Sequence, residues 1–307
     1  MVHAGLLLAA LPAEAVLGYP AWLFAAIGHP VTWIGAVIAR LDTAWNHGTA
    51  PRRRAMGIAV LLVIIALAGG AGWAIAAIAG DGWGQSLVVL VATTGLAQRS
   101  LHDHVAAVAR PLVAGDIVAA RTAVAAIVGR DNAALDEGGV AVAAIESLAE
   151  SFCDGVIGPA LWLLVGGLPG LFVCKAINTA DSMIGHRDER HGNFGWAAAR
   201  ADDLVMLVPA RLSGVLLALA GGGGWAVMWR DARSHASPNG GWPEAAMAGA
   251  LGRRLGGPVR YAGVPAARAV IGDGTPPVAG DLARALAIYR RACLLFCLAV
   301  GGIWWLQ

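Results

Sequence analysis

From Ala55 to Ala79 the chain reads "AMGIAVLLVIIALAGGAGWAIAAIA", twenty-five residues without a charge. About 20 apolar residues suffice for a helix to cross a bilayer. Lipid offers no partner to backbone N–H and C=O groups, so a stretch like this must satisfy them internally, as a helix. It follows Pro51-Arg52-Arg53-Arg54 directly. Short basic flanks stay on the cytoplasmic side, which places that end of the span inside. The rest of the chain is in keeping: 58% of the 307 residues are hydrophobic and the mean hydropathy is +0.65, where soluble domains hold about 45–50% apolar residues.

The other apolar runs are shorter: Gly82 to Gln98, Leu212 to Trp229 and Ala292 to Leu306. The N-terminal run "AGLLLAALPAEAVLGYPAWLFAAIG" is long enough to cross but carries Pro12, Glu14 and Pro20. It lacks the basic start and unbroken core of a signal peptide, and reads as a retained, irregular membrane segment. Residues 155–174 hold no charge, yet Gly166-Gly167-Leu168-Pro169-Gly170 interrupts them. Proline removes a helix donor and glycine is costly in helices, so either a kinked crossing or a re-entrant hairpin of two pieces of about ten residues results. A hairpin would bring Asp154 and Lys175 out on the same side. The expected class is an all-α, polytopic integral membrane protein with four to six membrane segments, one of them open to a re-entrant path, plus amphipathic helices.

Two regions are polar. Residues 99–154 have apolar positions at helical spacing with breaks expected at Pro111, Gly115 and Gly138-Gly139, which predicts two or three amphipathic helices. Residues 230–281 are rich in Gly and Pro, with one helix expected after Pro243. With no internal repeat and no long linker, residues 1–307 read as a single integral domain. The cysteines Cys153, Cys174, Cys293 and Cys297 form no CxxC pair and read as packing residues. Basic residues alternate with acids in a chain of net charge +2, which excludes a nucleic-acid-binding stripe. There is no GxxxxGK[ST] loop.

Charge concentrates where chemistry would need it. Glu146, Glu150 and Asp154 recur at i, i+4 and i+8, one stripe if the helix runs on. Three such carboxylates are a solvated face, or hold Mg²⁺, or face a cationic side chain. The 29 residues from Lys175 to Asp203 carry nine Asp, Glu, Lys or Arg and two His. Within them, acids and an amide suit a divalent metal, whereas Lys and Arg suit phosphate. Arg211 lies inside an apolar run, where a charge is a functional candidate by default. His235, Ser237 and Asn239 occupy a turn ahead of a helix start that could cup an anion, although a structural turn is the commoner use of such a sequence.

Taken in order, "HPVTWIG", "VGRD", "AIESLAESFCDGVIGPALW", "GLPGLFVCKAINTADSMIGHR", "FGWAAARADD", "PARLSG" and "HASPNGGWPEAAMAGALG" resemble the adenosylcobinamide-phosphate synthase family of cobalamin biosynthesis, the CobD/CbiB family. The resemblance runs from about His29 to Tyr289. It implies a multi-pass inner-membrane ligase that joins adenosylcobyric acid to (R)-1-amino-2-propanol phosphate, or in some members to free aminopropanol, through an amide bond. ATP as co-substrate and Mg²⁺ are implied, with no tightly bound organic cofactor. On this reading Glu146, Glu150, Asp154, Lys175, Asp181, Asp202 and Asp203 are catalytic candidates. Asp154, Asp181 and Asp202 are the metal candidates. Asn178, Ser182, Arg187, Arg200, Arg211, His235, Ser237 and Asn239 would face substrate or phosphate. Lipid is a partner, and association with other membrane enzymes of the pathway or with a second copy is left open. A Mg-dependent membrane phosphotransferase and a non-enzymatic transporter are the competing readings.

Overall fold

The computed structural model describes residues 3–129, 131–186, 188–261 and 264–307. Fourteen α-helices dominate the described residues, and four are long and apolar enough to cross a membrane: Ala21–Trp45, Ala50–Ala79, Glu137–Ile184 and Ala279–Trp305. Taking Trp196–Val205 with Leu207–Gly221 as one broken span makes five. The chain is thus a polytopic, all-α membrane protein. It packs as two compact units, neither continuous in sequence: residues 1–97, 158–206 and 300–307, and residues 98–157 and 207–299.

The first unit contains α1 (Ala4–Leu17), α2 (Ala21–Ile27), α3 (Pro30–Trp45), α4 (Ala50–Ala79), α5 (Gly84–Thr93), α9 (Gly158–Ile184) and α10 (Trp196–Val205). The N-terminal apolar run is split at Gly18, so α1 has only 14 residues, and the candidate span begins instead at Ala21. The long uncharged stretch becomes α4, whose buried residues Gly57, Val60, Ile64, Ala68 and Gly72 recur every three or four positions. That seam faces α9: Val60 and Ile64 share a core with Ala180, Ile184, Phe194 and Ile38, while Gly72 approaches the backbone of Leu168 and Pro169. The two helices therefore run antiparallel. Small residues let their backbones come close, which is how helices associate in lipid, where apolar burial drives little. Leu62, Trp73 and Ile78 point away, 60%, 68% and 84% exposed, as side chains in contact with acyl chains would be.

The interruption expected at residues 166–170 is a hinge. Gly167 adopts φ 62° and ψ −153°, outside the helical region and open to glycine at little cost. A Cβ on Gly170 would fall 2.3 Å from the carbonyl oxygen of Trp162. Eight residues of straight helix would separate these positions by about 12 Å. The chain therefore turns sharply at Gly167, so that Gly170 packs back against the Trp162 carbonyl.

The second unit contains α6 (Gln98–Val113), α7 (Ile117–Ala125), α8 (Glu137–Phe152), a π-helical turn (Cys153–Ile157), α11 (Leu207–Gly221), α12 (Trp225–Asp231), a 3₁₀ turn (Ala232–Ser234), α13 (Gly241–Leu251) and most of α14 (Ala279–Trp305). Three helices arise from residues 98–152, but two expected breaks are absent. Pro111 lies inside the last turn of α6, and Gly138-Gly139 lies in the first turn of α8. There the Asp136 side chain accepts the Gly139 N–H, so the cap starts the helix ahead of the glycines. Likewise α13 starts at Gly241, two residues before Pro243, whose missing donor costs nothing in a first turn. Residues 255–271 hold two short antiparallel ladders that sequence reading did not anticipate: β1 (Leu255–Gly256) with β4 (Val270–Ile271), and β2 (Val259–Tyr261) with β3 (Val264–Ala266). Buried Tyr289 of α14 donates to the Gln98 carbonyl at 2.8 Å and packs edge-on against Phe152, tying α14 to α6 and α8.

Candidate functional site

In the second unit a buried ion cluster forms around α8 and α13. Glu146 is 3% exposed and Glu244 is fully buried. Such carboxylates persist only if paired and hydrogen-bonded. Arg268 supplies the charge, with Nη1 donating to Glu146 Oε2 at 3.0 Å and Nη2 to Glu244 Oε1 at 3.3 Å. The Gly256 N–H at the base of the first ladder donates to Glu146 Oε1 at 2.7 Å. Of the readings open for the acidic stripe, the cationic partner is the one realised at Glu146.

Glu146 and Glu150 lie on α8, and Asp154 lies in the π-helical turn that continues it. Glu150 is exposed and borders Gly240, where a Cβ would meet its Oε1 at 3.3 Å.

His235 adjoins the cluster, its Nε2 3.6 Å from Glu244 Oε1. Nδ1 accepts the Ser237 N–H at 3.0 Å, and Arg268 Nη2 lies 3.2 Å from Nε2. Burial is the main reason its pKa lies below the ordinary 6.5, and Arg268 acts in the same direction against the opposing pull of Glu150 and Glu146. His235 is therefore neutral near pH 7. The Ser237 hydroxyl accepts the N–H groups of Asn239 and Gly240 at 3.2 and 3.3 Å. Those two donors are satisfied within the turn that precedes α13. Arg211 of α11 donates to Asn239 Oδ1 at 2.7 Å and to the Leu207 carbonyl at 2.9 Å, and its guanidinium lies 4.9 Å from the Trp242 ring centre.

In the first unit the polar groups gather at helix ends. Asn178 of α9 donates to Asp202 of α10 at 3.3 Å. Ser182 Oγ instead donates to the Asn178 carbonyl within α9. Arg200 and Asp203 pair on one face of α10 at 3.1 Å, half exposed and one-quarter exposed respectively. Asp181 sits against Gly185, whose N–H donates to its carbonyl. Lys175 lines a mainly apolar cavity of about 440 Å³ with Tyr19, Trp33, Leu67 and Phe172. Arg187 lies outside the described residues. Among the described residues no three His, Cys, Asp or Glu side chains gather as a metal-binding group. Asp202, one of the residues expected to hold Mg²⁺, accepts the Asn178 amide N–H instead.

The segment after α9 was legible only as a charged loop. Arg190 pairs with Asp42 of α3 at 2.5 Å, and His191 Nε2 lies 3.7 Å from the same carboxylate. Asp188 accepts the His191 N–H at 2.6 Å, chiefly for which reason its carboxyl titrates below the usual range. Arg53 donates to the Glu189 and Arg190 carbonyls, and the Arg54 guanidinium lies 3.8 Å from the Trp196 ring centre. The basic flank of α4 thus holds residues 188–196 at its own end of the helix.

Sequence reading missed Glu244, Arg268, Asp42 and Arg53 as members of these clusters. An acid in a buried helix's first turn was the available signal for Glu244. Arg268 carried none, because its partners stand 122 and 24 residues away.

A profile of the CobD/CbiB proteins matches residues 7–289. The cobalamin biosynthesis protein CobD of Rhodobacter capsulatus is 51% identical over 306 residues, covering 98% of this chain and 97% of that protein. CobD of Rhizobium meliloti is 42% identical over 312 residues, covering 97% and 95%. CobD of Geobacter metallireducens is 42% identical over 318 residues, covering 97% and 96%. No solved structure matches. With the expected motifs in order, the match along nearly the whole length and the membrane fold in agreement, the chain belongs to the CobD/CbiB family of cobalamin biosynthesis proteins.

Proposed function

We propose that this protein is an inner-membrane ligase that joins the free carboxylate of adenosylcobyric acid to the amine of (R)-1-amino-2-propanol phosphate, with ATP consumed to ADP and phosphate. The observation that carries the reading is the grouping of family-motif residues Glu146, Arg211, His235, Ser237, Asn239 and Glu244 around one buried turn of a largely apolar chain.

Amide formation from a carboxylate requires activation. The γ-phosphoryl group passes from ATP to a carboxylate oxygen, releasing ADP; the amine then attacks the acyl carbon, and inorganic phosphate leaves with the former carboxylate oxygen. Positioned charges supply most of the catalysis in such a sequence. Asn178 orients the polyphosphate, and Mg²⁺ supplies charge neutralisation when bound. Arg200 and Lys175 are the first unit's cations for phosphate. In the second unit Arg268 fixes Glu146 and Glu244, and the Ser237 hydroxyl fixes the turn bearing His235 and Asn239. Both are preorganised, so the site needs little rearrangement as charge develops. The basic flank that anchors residues 188–196 belongs on the cytoplasmic side, where ATP is found.

Detergent-purified protein supplied with adenosylcobyric acid, aminopropanol phosphate and Mg-ATP should yield one ADP per amide formed. ADP without amide would favour a phosphotransferase, and neither product would sink the enzyme reading.

A further inference from the structure

The basic flank of α4 has an inward and an outward side. Successive helical residues are turned by about 100°, so while Arg53 faces the packed turn, Arg52 and Arg54 stand on either side of it. Arg53 directs its donors into the first unit, to Asn46 Oδ1 at 2.8 Å and to the Glu189 and Arg190 carbonyls. Arg52 donates to the His47 carbonyl, and the Arg54 guanidinium stacks 3.8 Å from the centre of the Trp196 ring. Both arginines are exposed, and among the described residues neither has a carboxylate partner. The acids at this end are engaged elsewhere, Asp42 by Arg190 at 2.5 Å and Asp188 by His191 at 3.3 Å. Glu189 meets Arg53 through its carbonyl.

Beyond Arg54 the same face turns apolar. Arg54, Ile58 and Leu62 recur at i, i+4 and i+8, which puts them in one stripe along the helix. Ile58 is 41% and Leu62 60% exposed, and Trp196, 40% exposed, lies beside Arg54 at the head of the stripe. Each four-residue step is about 6 Å, so within about 12 Å the surface passes from a guanidinium over an indole to aliphatic side chains. Arg54 directly precedes the uncharged stretch that begins at Ala55, which sets the guanidinium at the depth of lipid headgroups and the stripe at the depth of acyl chains. A soluble anion matches the first part of this surface alone. A phospholipid matches both.

We propose that this face of α4 binds an anionic phospholipid, with the headgroup phosphate on Arg54 beside Trp196, one acyl chain along Ile58 and Leu62, and Arg52 adding to the attraction. A zwitterionic headgroup balances its own phosphate, whereas a net-negative one leaves charge for the two arginines to neutralise. The site lies outside the groups assigned to the ligase reaction and stands whether or not that reading holds.

The test is native mass spectrometry of the full chain released from a neutral detergent, titrated with phosphatidylglycerol and, separately, with phosphatidylcholine of the same acyl chains. Wild type should retain phosphatidylglycerol in preference. Arg54→Gln should weaken phosphatidylglycerol about fivefold, and Arg52→Gln with Arg54→Gln about 25-fold, because each basic residue near an anionic headgroup contributes roughly one such factor. Phosphatidylcholine should be unaffected. Arg54→Lys keeps the charge and should keep most of the affinity, so an equal loss in the Lys and Gln variants would mark a packing effect and overturn the site. Equal retention of the two lipids by wild type would overturn it as well. Inorganic phosphate and Mg-ATP separate the sources of phosphate: phosphatidylglycerol should stay bound in the presence of either, and its displacement would assign the arginines to a soluble anion instead.

Discussion

The two units treat charge in opposite ways. In the first, ionisable groups collect at helix ends, and most of the partners are near in sequence or are backbone carbonyls: Arg200 with Asp203, Asp188 with His191, Arg53 with the Glu189 and Arg190 carbonyls. In the second, Glu146 and Glu244 are buried, and a single guanidinium from residues 255–271 joins them. A group at a helix end can be replaced by water. A carboxylate inside a packed unit cannot, so its partner becomes obligatory for the fold. The contrast teaches that charge count is a poor guide to where a chain depends on charge: the 175–203 stretch is denser, but the second unit is more exposed to the loss of one residue.

Removing Arg268 breaks the comparison most severely. Arg268→Ala removes the guanidinium that reaches both buried carboxylates, and breaking such a pair typically costs about 3–5 kcal/mol. Chemical unfolding in detergent should show a loss of this size. A change below about 1 kcal/mol would mean that water already reaches Glu146 and Glu244. Arg268→Ala combined with Glu146→Gln and Glu244→Gln should recover part of the loss, since neutral amides need no counter-ion.

The first unit's sensitive point is its backbone. Gly167→Ala places a Cβ on a residue at φ 62° and ψ −153°, a region essentially confined to glycine, at a cost of about 1–3 kcal/mol. The expected result is a lower melting temperature with the ion cluster intact. If the melting temperature were unchanged, the hinge conformation would not be the one populated in the membrane.

These two substitutions also mark what sequence could reveal. The α4 span and the break at 166–170 were legible because each is written in consecutive residues, as 25 uncharged positions and as a Gly-Pro interruption. The carboxylates at 146 and 150 were legible as candidates, but the pairing of Glu146 with Arg268 was not, because it depends on bringing residues 122 apart together. The π-helical turn that holds Asp154 left no trace in composition or spacing. The Ser237–Gly240 turn was legible as a turn, and satisfying donors within it is the outcome that commonly accompanies such a sequence.

Titration separates the units more gently. The folded state holds His235 below its unfolded value of 6.5, so the unfolded chain binds the extra proton first as pH falls. Stability is therefore complete above about pH 6.5 and declines below it, down to the pKa of the folded state. His235→Gln should flatten that part of the stability profile. Persistence of the full decline would assign it to other groups.

The smallest effect is expected at Arg200 and Asp203, and it is the most informative about function. The pair lies at i, i+3 on the surface of α10, with the arginine side chain 50% accessible and the aspartate 24%. Exposed pairs contribute about 0.2–1 kcal/mol at most, and salt screens them. Arg200→Ala should therefore leave unfolding almost unchanged at physiological ionic strength. If Arg200 also faces phosphate, the same substitution should raise the KM for Mg-ATP by about tenfold while stability holds, because an ionic contact to phosphate is worth more than a screened surface pair. A KM that does not move, with equally unmoved stability, would make Arg200 a solvated surface residue. Function and fold are thus separable in the first unit. At Arg268 they are not, since any loss of activity there would come with a loss of structure.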